Sequence, residues 1–257
     1  MGRRIIAVAA EDSRFRLVGA LESPMSELLG ADAGRLAGID ALDLAVTDTV
    51  PGGFDVLIDF SSPEGTRHWL EICRTMGRPI VIGTTGHDAA FQDHLRSSAS
   101  AIGVLRAANM SVGVNVLLRL VRELARVLDD SYDVEITEAH HRFKVDAPSG
   151  TALALRDAIV QGRKDAGREP GETVHGRHGQ TGARQPGQIG MHALRIGDTV
   201  GEHTVSFGCL GETICVSHSA HSRDTFAAGA LRAAAWIVGR PAGLYDMRDV
   251  LFGGAGG

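Results

Sequence analysis

The chain has 257 residues, 44% of them hydrophobic and 22% charged, which is enough for one large domain or two smaller ones with separate cores. Its net charge of −5 excludes the basic surface that nucleic-acid-binding proteins of this size carry, so we expect no nucleic-acid partner. No apolar run approaches the roughly 20 residues that span a bilayer, and the N-terminal apolar stretch is too short for a signal peptide. We therefore expect no membrane partner. The three cysteines show no CxxC spacing, so they predict neither a disulfide framework nor a cysteine-rich metal site. A cytoplasmic protein is expected.

The first half of the chain predicts alternating helices and strands around a polar stretch. The expected helices are 3–11, 63–76 and 88–100, and the expected strands are 15–21, 56–60, 79–82 and 102–105. Strands of nearly continuous apolar character, separated by helices, indicate a parallel sheet that is covered on both faces. In such α/β sheets ligands bind at the carboxyl ends of the strands.

The second half predicts a different pattern. The expected helices are 112–128, 151–162 and 225–238, and the expected strands are 132–138, 191–196, 202–207 and 212–218, the last three antiparallel. We interpret 140–149 as a loop and 162–190, rich in Gly, Arg and His, as a mobile loop. This predicts two domains with a cleft between them, one of 1–111 with 221–257 and one of 112–220. The glycine-rich tail, 253–257, is expected to fray.

Two features of the first half are candidates for nucleotide contacts. Glu22 follows Gly2 by 20 positions, the usual spacing from a glycine-rich turn to the acid that binds an adenosine ribose. The turn itself is almost absent, so a merely solvated glutamate remains the alternative. The small residues of 83–86 follow a buried strand and allow backbone amides and hydroxyls to approach a cofactor. A plain β–α turn is the alternative there.

The segment 138–152 carries the strongest indication of chemistry. His140, His141 and Lys144 supply a group that titrates near neutrality and a transferable proton. The amides of Gly150 and Thr151, at a predicted helix N-terminus, form a carboxylate site. A solvated basic loop and a metal site are the alternatives, although adjacent side chains diverge and no HxxxH or HxH spacing is present.

Lysine is rare in this chain, since 26 basic residues less Lys144 and Lys164 leave 24 arginines. Arginine stays protonated at any working pH, whereas lysine can release a proton, so a lysine at position 144 favours a proton donor. Eight other histidines are expected to be surface or packing residues: His87, His94, His175, His178, His192, His203, His218 and His221.

These motifs resemble those of the 4-hydroxy-tetrahydrodipicolinate reductase (dihydrodipicolinate reductase) family over nearly the whole chain. The matching segments are 59–66, 83–86, 107–115, 138–141, 144–152, 201–204 and 246–251. The resemblance implies a Rossmann-type dinucleotide-binding domain, a substrate-binding and oligomerisation domain with a mixed sheet, and a homotetramer. It also implies hydride transfer from NAD(P)H to a cyclic dicarboxylate of the diaminopimelate/lysine pathway.

The resemblance further implies roles for individual residues. His140 and Lys144 match the catalytic proton-transfer residues, and His141, Gly150 and Thr151 match substrate-binding residues. No metal ligand is implied. The positions that match cofactor contacts are Met1, Glu22, Gly83, Thr84, Thr85, Ala107, Ala108, Asn109 and Met110.

Two departures from the family pattern carry expectations of their own. Family members open with a strand and a glycine-rich loop, of which only Met1 and Gly2 remain here. We therefore expect the first strand of the sheet to be missing. The backbone groups of its neighbouring strands would then be unpaired, at a cost of about 1–3 kcal/mol for each buried group. Pyrophosphate binding is expected to be weak. An upstream segment carrying this strand is expected in the natural chain. Ser23 and Ser62 stand where family members often have arginines that hold a 2′-phosphate. Without those arginines, Glu22 would repel a 2′-phosphate and bind a 2′-hydroxyl, so NADH is expected to be preferred over NADPH.

Two functions of other classes remain open from the sequence. The absent glycine loop would fit a non-catalytic regulatory protein that binds a nicotinamide nucleotide. The adjacent histidines would fit a metallohydrolase, which predicts stoichiometric zinc and inhibition by chelators.

Overall fold

The computed structural model describes residues 1–253, so most of the tail that is expected to fray lies outside the described residues. Contacts divide the chain into two units, Met1–Val112 with Arg223–Gly257 and Gly113–Ser222. No helix in the described part of the chain is both long and apolar enough to cross a membrane.

The helices and strands alternate through most of the chain. The helices are α1 Gly2–Glu11, α2 Ala33–Ala37, α3 Pro63–Met76, α4 Ala90–Ala99, α5 Val112–Val127, α6 Gly150–Asp165, α7 Asp224–Ile237 and α8 Met247–Phe252. The strands are β1 Ala20–Leu21, β2 Val46–Thr47, β3 Leu57–Asp59, β4 Ile80–Ile82, β5 Gly103–Arg106, β6 Asp133–His140, β7 Thr173–His175, β8 Ile189–Arg195, β9 Gly201–Cys209, β10 Glu212–Ala220 and β11 Gly243–Tyr245.

The first unit contains the predicted parallel sheet, with strand order β11-β5-β4-β3. Ile80, Val81 and Ile82 of β4 are all fully buried, as expected for a strand covered by helices on both faces. The α/β fold class is thereby confirmed. The predicted strand over 15–21 is wrong in extent, since only Ala20–Leu21 pairs, with β2.

Helix α3 has the bounds that the sequence predicts, because clear local signals mark both its start and its end. The Ser62 hydroxyl accepts a hydrogen bond from the Gly65 amide at 3.1 Å, and Pro63 occupies the first helical position. Gly77 ends the helix in the left-handed conformation, with φ of +63°.

An open slot lies in the first unit between β1 and β3. In the described part of the chain, β3 pairs with β4 on one edge and with no strand on the other, and β1 pairs only with β2. The cavity measures about 1410 Å³ and is lined by the half-buried apolar side chains of Leu17, Leu21, Val56 and Ile58.

The slot leads to a stability prediction. Fusing a short β-branched segment of five residues ahead of Met1 is expected to add a parallel strand between β1 and β3. The added strand would bury about four apolar side chains, each of which stabilises the fold by about 1.5–3 kcal/mol, and would form new backbone hydrogen bonds with its neighbours. Together these gains exceed the conformational entropy cost of ordering the segment, which is about 1–2 kcal/mol per residue. We expect a gain of about 2–4 kcal/mol in the free energy of unfolding and weaker binding of the dye ANS. A Gly/Ser extension of equal length is the control; equal stability of the two fusions would contradict the prediction.

The second unit holds a mixed sheet with strand order β10-β9-β6-β8-β7. β9 is antiparallel to β10, as predicted, and it is also antiparallel to β6. The prediction of an antiparallel strand over 191–196 is wrong, because β8 runs parallel to β6 and β7. The long connection from β6 through α6 allows this crossover, which a hairpin could not make.

The interpretation of 162–190 as a mobile loop is wrong for much of that segment. It contains the end of α6 and all of β7. Two of its arginines donate hydrogen bonds to the Glu135 carboxylate, Arg177 at 2.8 Å and Arg184 at 3.1 Å, and His192, just beyond the segment, donates at 2.7 Å. Burial acts to raise the pKa of Glu135, but these contacts lower it to about 2. The arginines that suggested a mobile loop thus form ion pairs with a side chain of the sheet.

Candidate active site

Strand β6 carries the first of the candidate catalytic residues. The predicted loop over 140–149 begins one residue too early, because β6 continues to His140. Val134, Ile136, Glu138 and His140 alternate along the strand and are all buried on one face. Glu138 and His140 therefore continue the core face of the sheet as polar residues, with 1% and 9% exposure.

Glu138 is the centre of a buried hydrogen-bond network. Its carboxylate lies 2.5 Å from Nδ1 of His140 and accepts two hydrogen bonds from Arg195, both at 2.9 Å. It also accepts the amide hydrogen of Ser149 at 3.1 Å. Burial raises the pKa of Glu138, but the contacts with Arg195, His140 and the Ser149 amide lower it further than burial raises it. The carboxylate is charged at neutral pH.

His203 is a functional candidate that was predicted to be a surface or packing residue. It is 4% exposed, its ring centroid lies 5.2 Å from that of His140, and its Nε2 lies 3.2 Å from the Ser149 hydroxyl. Burial, together with the neighbouring His140, lowers the pKa of His203 to about 4, so this ring is neutral at pH 7. The pairing of β6 with β9 places Glu138 opposite His203 and so brings this histidine to the site. The spacing of residues along the sequence does not predict that pairing.

Lys144 lies in the turn that follows β6. Its amide donates to the His141 carbonyl at 3.1 Å, and its ammonium lies 2.7 Å from Asp146 Oδ1, an ion pair that lowers the pKa of the Asp146 carboxyl. The Lys144 side chain is 21% exposed. The turn that bears Lys144 is tied to the network around His140, because Arg195 binds both the Glu138 carboxylate and the Asp146 carbonyl.

The predicted anion-binding residues lie at the start of α6. Gly150 and Thr151 are its first residues, and the Ser149 hydroxyl caps the helix by accepting the Ala152 amide at 3.2 Å. Gly150 is exposed, with open space where a Cβ would lie. Nδ1 of the half-buried His141 has no hydrogen-bond partner within the described residues. A helix N-terminus and an unpaired imidazole nitrogen are groups that bind carboxylates.

In the first unit, the start of α1 and the carboxyl ends of β1 and β3 line one cavity. Met1, Gly2, Glu22, Ser23 and Ser61 all contribute to its wall. The first turn of α1 has no acidic residue, so its amides can receive a pyrophosphate. Glu22 is exposed and forms no ion pair with any described residue, which leaves its carboxylate available to ribose hydroxyls. These residues fit a dinucleotide.

The turn after β4 has a structural role that the sequence analysis did not anticipate. A Cβ at Gly83 would lie 2.2 Å from the Phe60 ring, so packing alone requires glycine there. The Thr84 hydroxyl donates to the buried Asp59 at 2.8 Å and is thereby occupied inside the protein. In 83–85, the groups that could contact a cofactor are therefore the backbone and the Thr85 side chain.

The turn after β5 is anchored in the same way. Met110 is 1% exposed and lies in the core, and its carbonyl oxygen would be 1.8 Å from a Cβ at Gly229. Ala108 is exposed, and the Asn109 side chain accepts the Ser111 amide at 2.9 Å. Ala107 donates its amide hydrogen to the Ile82 carbonyl at 3.1 Å, which ties this turn to β4.

Metal ligation was one alternative for the adjacent histidines. Within residues 1–253, no group of three or more His, Cys, Asp or Glu side chains is arranged to hold a metal ion.

Both parts of the chain match models of known protein families. Residues 1–110 match the model described as dihydrodipicolinate reductase, N-terminus, and residues 113–251 match the model described as dihydrodipicolinate reductase, C-terminus. The two models together cover nearly all of the described residues.

Several solved structures are similar in fold. A dipicolinate-bound dihydrodipicolinate reductase from Paenisporosarcina sp. TG-14 has a TM-score of 0.74 at 22% identity, covering 95% of this chain and 92% of that one. An amine dehydrogenase from Mycobacterium smegmatis has a TM-score of 0.61 at 14% identity, covering 95% and 91%. GenD2 from gentamicin A biosynthesis, in complex with NAD, has a TM-score of 0.54 at 14% identity, covering 94% and 84%.

Proposed function

The chain belongs to the dihydrodipicolinate reductase family, and from that premise we propose that it reduces 4-hydroxy-tetrahydrodipicolinate through a proton-transfer centre built on His140 and Lys144. Family membership makes it an NAD(P)H-dependent oxidoreductase of the diaminopimelate/lysine pathway. It also displaces the two alternatives that the sequence left open, a non-catalytic regulator and a metallohydrolase. An assay of NADH oxidation with freshly generated substrate tests the activity directly.

The substrate is a small dicarboxylate, and the second unit offers groups of matching chemistry. We assign one carboxylate to the amides of Gly150 and Thr151, where the helix dipole favours negative charge. His141, with its unpaired Nδ1, is assigned to the same anion. The dipicolinate bound by the Paenisporosarcina relative is a molecule of this class.

The observation that supports the catalytic assignment best is the shared anchor of His140 and the Lys144 turn: Arg195 binds both the Glu138 partner of His140 and the carbonyl of Asp146, the ion-pair partner of Lys144. The bound dinucleotide supplies the hydride. Lys144 holds the proton that the ring takes up, and its release leaves a neutral amine that solvent reprotonates. His140 presents an imidazole, a side chain that serves as a general acid or base in catalysis.

We assign the nucleotide to the first unit, with its pyrophosphate at Gly2 and the start of α1. Met1 lies at the same helix end, and Glu22 is assigned to the adenosine ribose. The backbone of 83–85 and 107–110 is assigned to the nicotinamide half, because both turns follow strands of the parallel sheet.

The cofactor is a nicotinamide dinucleotide, and we propose that NADH is preferred over NADPH. The free carboxylate of Glu22, with serine at position 23, repels a 2′-phosphate. A higher kcat/KM is expected with NADH, and Ser23→Arg is expected to raise kcat/KM with NADPH roughly tenfold, since hydrogen bonds to charged groups contribute about 1.5–3 kcal/mol. Ser97→Arg, on the exposed side of α4, is the control. A tenfold preference of the unmodified protein for NADPH would contradict the assignment.

We further propose a homotetramer in the cytoplasm, as family membership suggests. Cys73, Cys209 and Cys215 are all free thiols, which fits a reducing compartment. Light scattering of the purified protein measures the assembly: a mass of four chains is expected, and a monomer would exclude it.

A further inference from the structure

Glu138 connects three elements of the second unit through one buried carboxylate. It contacts the His140 ring on its own strand, the Arg195 guanidinium at the end of β8 and the Ser149 amide at the cap of α6. Arg195 also donates to the Asp146 carbonyl at 2.5 Å, which ties the turn that bears Lys144 to the same network. The imidazole, the lysine turn and the anion-binding helix end therefore share one anchor.

The contact with Glu138 decides which nitrogen of His140 can exchange a proton. A charged carboxylate only accepts hydrogen bonds, so Nδ1 of His140 is the donor to Glu138. This leaves Nε2 as the atom that can take up or release a proton. Nε2 lies only 3.1 Å from the position that a Cβ at Gly201 would occupy, so the absence of a side chain at Gly201 makes room for the ring.

Arg195 limits how much of the Glu138 charge reaches His140. Its two hydrogen bonds occupy both carboxylate oxygens, and the pair is nearly neutral as a unit. Of the other groups around His140, His203 on β9 is neutral, and the Lys144 ammonium in the turn is paired with the carboxylate of Asp146. His218, opposite His203 on β10, has a lowered pKa because it is buried, so it adds no positive charge at pH 7.

We propose that Glu138 is a positioning residue that fixes the tautomer and orientation of His140 against the N-terminus of α6, and that Arg195 sets the pH at which His140 gains its proton. The proposal rests on the catalytic role assigned to His140. Neither Glu138 nor Arg195 needs to touch the substrate for this role.

The test uses the full chain and two readouts, steady-state kinetics and an NMR titration of the His140 ring. Glu138→Gln is expected to lower kcat about 100-fold with KM changed less than about threefold, because the imidazole loses its charged partner. Its His140 titration midpoint is expected to fall by about one pH unit. Arg195→Gln is expected to move the midpoint the other way by about one unit, because the full charge of Glu138 then acts on His140.

Two further variants separate positioning from general loosening of the fold. Glu138→Asp keeps the charge but shortens the reach, so kcat is expected to fall while the His140 midpoint stays within about 0.3 unit. Glu135→Gln is the matched control, since Glu135 lies three residues earlier on β6 and, like Glu138, binds both arginine and histidine side chains. We expect it to leave the midpoint unchanged.

Opposite midpoint shifts in Glu138→Gln and Arg195→Gln would support the proposal. Unchanged kcat and midpoint in Glu138→Gln, or shifts in the same direction in both variants, would overturn it. If Glu138→Gln does not fold, a raised His140 midpoint in Arg195→Gln together with a lowered kcat in Glu138→Asp would support the proposal, and an unchanged or lowered midpoint in Arg195→Gln would overturn it. The NMR midpoints need no turnover, so a failure of the proposed function would appear separately, as an unmodified protein that does not oxidise NADH with the substrate.

Discussion

Replacing Lys144 by alanine is expected to lower kcat roughly 10²–10⁴-fold, the usual contribution of a general acid. The affinity for NADH should change little, because Lys144 lies in the second unit and the residues assigned to the nucleotide lie in the first. Steady-state kinetics gives kcat, and fluorescence titration with NADH gives the dissociation constant.

Lys144→Arg is the stricter form of this experiment. Arginine keeps the positive charge and the reach toward Asp146 but does not release a proton at working pH. We expect it to be nearly as inactive as the alanine variant. Lys164→Ala, which removes the only other lysine from the last turn of α6, is the matched control and should retain kcat. Wild-type turnover in Lys144→Arg would exclude proton donation by this residue.

Asp59→Ala is expected to give the largest loss of stability, about 3–5 kcal/mol. Asp59 is 2% exposed and accepts four hydrogen bonds: from the amide and hydroxyl of Ser61 at 3.0 and 2.5 Å, from Thr66 at 2.5 Å and from Thr84 at 2.8 Å. The buried Thr84 hydroxyl would lose its hydrogen-bond partner, at about 1–3 kcal/mol, while the Thr66 hydroxyl would keep the Ser62 carbonyl and the exposed Ser61 would turn to water. Thermal unfolding should therefore begin about 10 °C lower, at roughly 2–4 °C per kcal/mol for a chain of this size.

Asp59 also connects the turns after β3 and β4, so its loss should weaken NADH binding as well as the fold. Asp55→Ala is the control, because Asp55 lies just before the same strand but is exposed. A melting temperature of Asp59→Ala within 2 °C of the control would show that the hydroxyl donors find other partners, contrary to this expectation.

The parts of the fold that the sequence predicted well are those specified by local signals. Helix α3 has a serine cap, a proline at its first position and a glycine at its end, and β4 is apolar at every position. The short elements α2, β2 and β11 were not predicted, because two to five residues carry too little periodicity. Their formation depends on tertiary contacts.

The candidate site was predicted in its residues but not in its connections. His140 and Lys144 stand out by chemical type and spacing alone. Arg195 and His203 enter the site only through the pairing of β6 with β8 and β9, which no local pattern encodes. The same pairing explains why Glu135, with its ion pairs, holds a segment whose composition suggested a loop.

The most direct test of the assigned site is a crystal structure of this protein with dipicolinate bound. We expect one carboxylate on the amides of Gly150 and Thr151, with Lys144 Nζ and His140 Nε2 both within about 3.2 Å of the ligand. A dicarboxylate bound elsewhere, or a Lys144 ammonium directed away from the ring, would contradict the assignment.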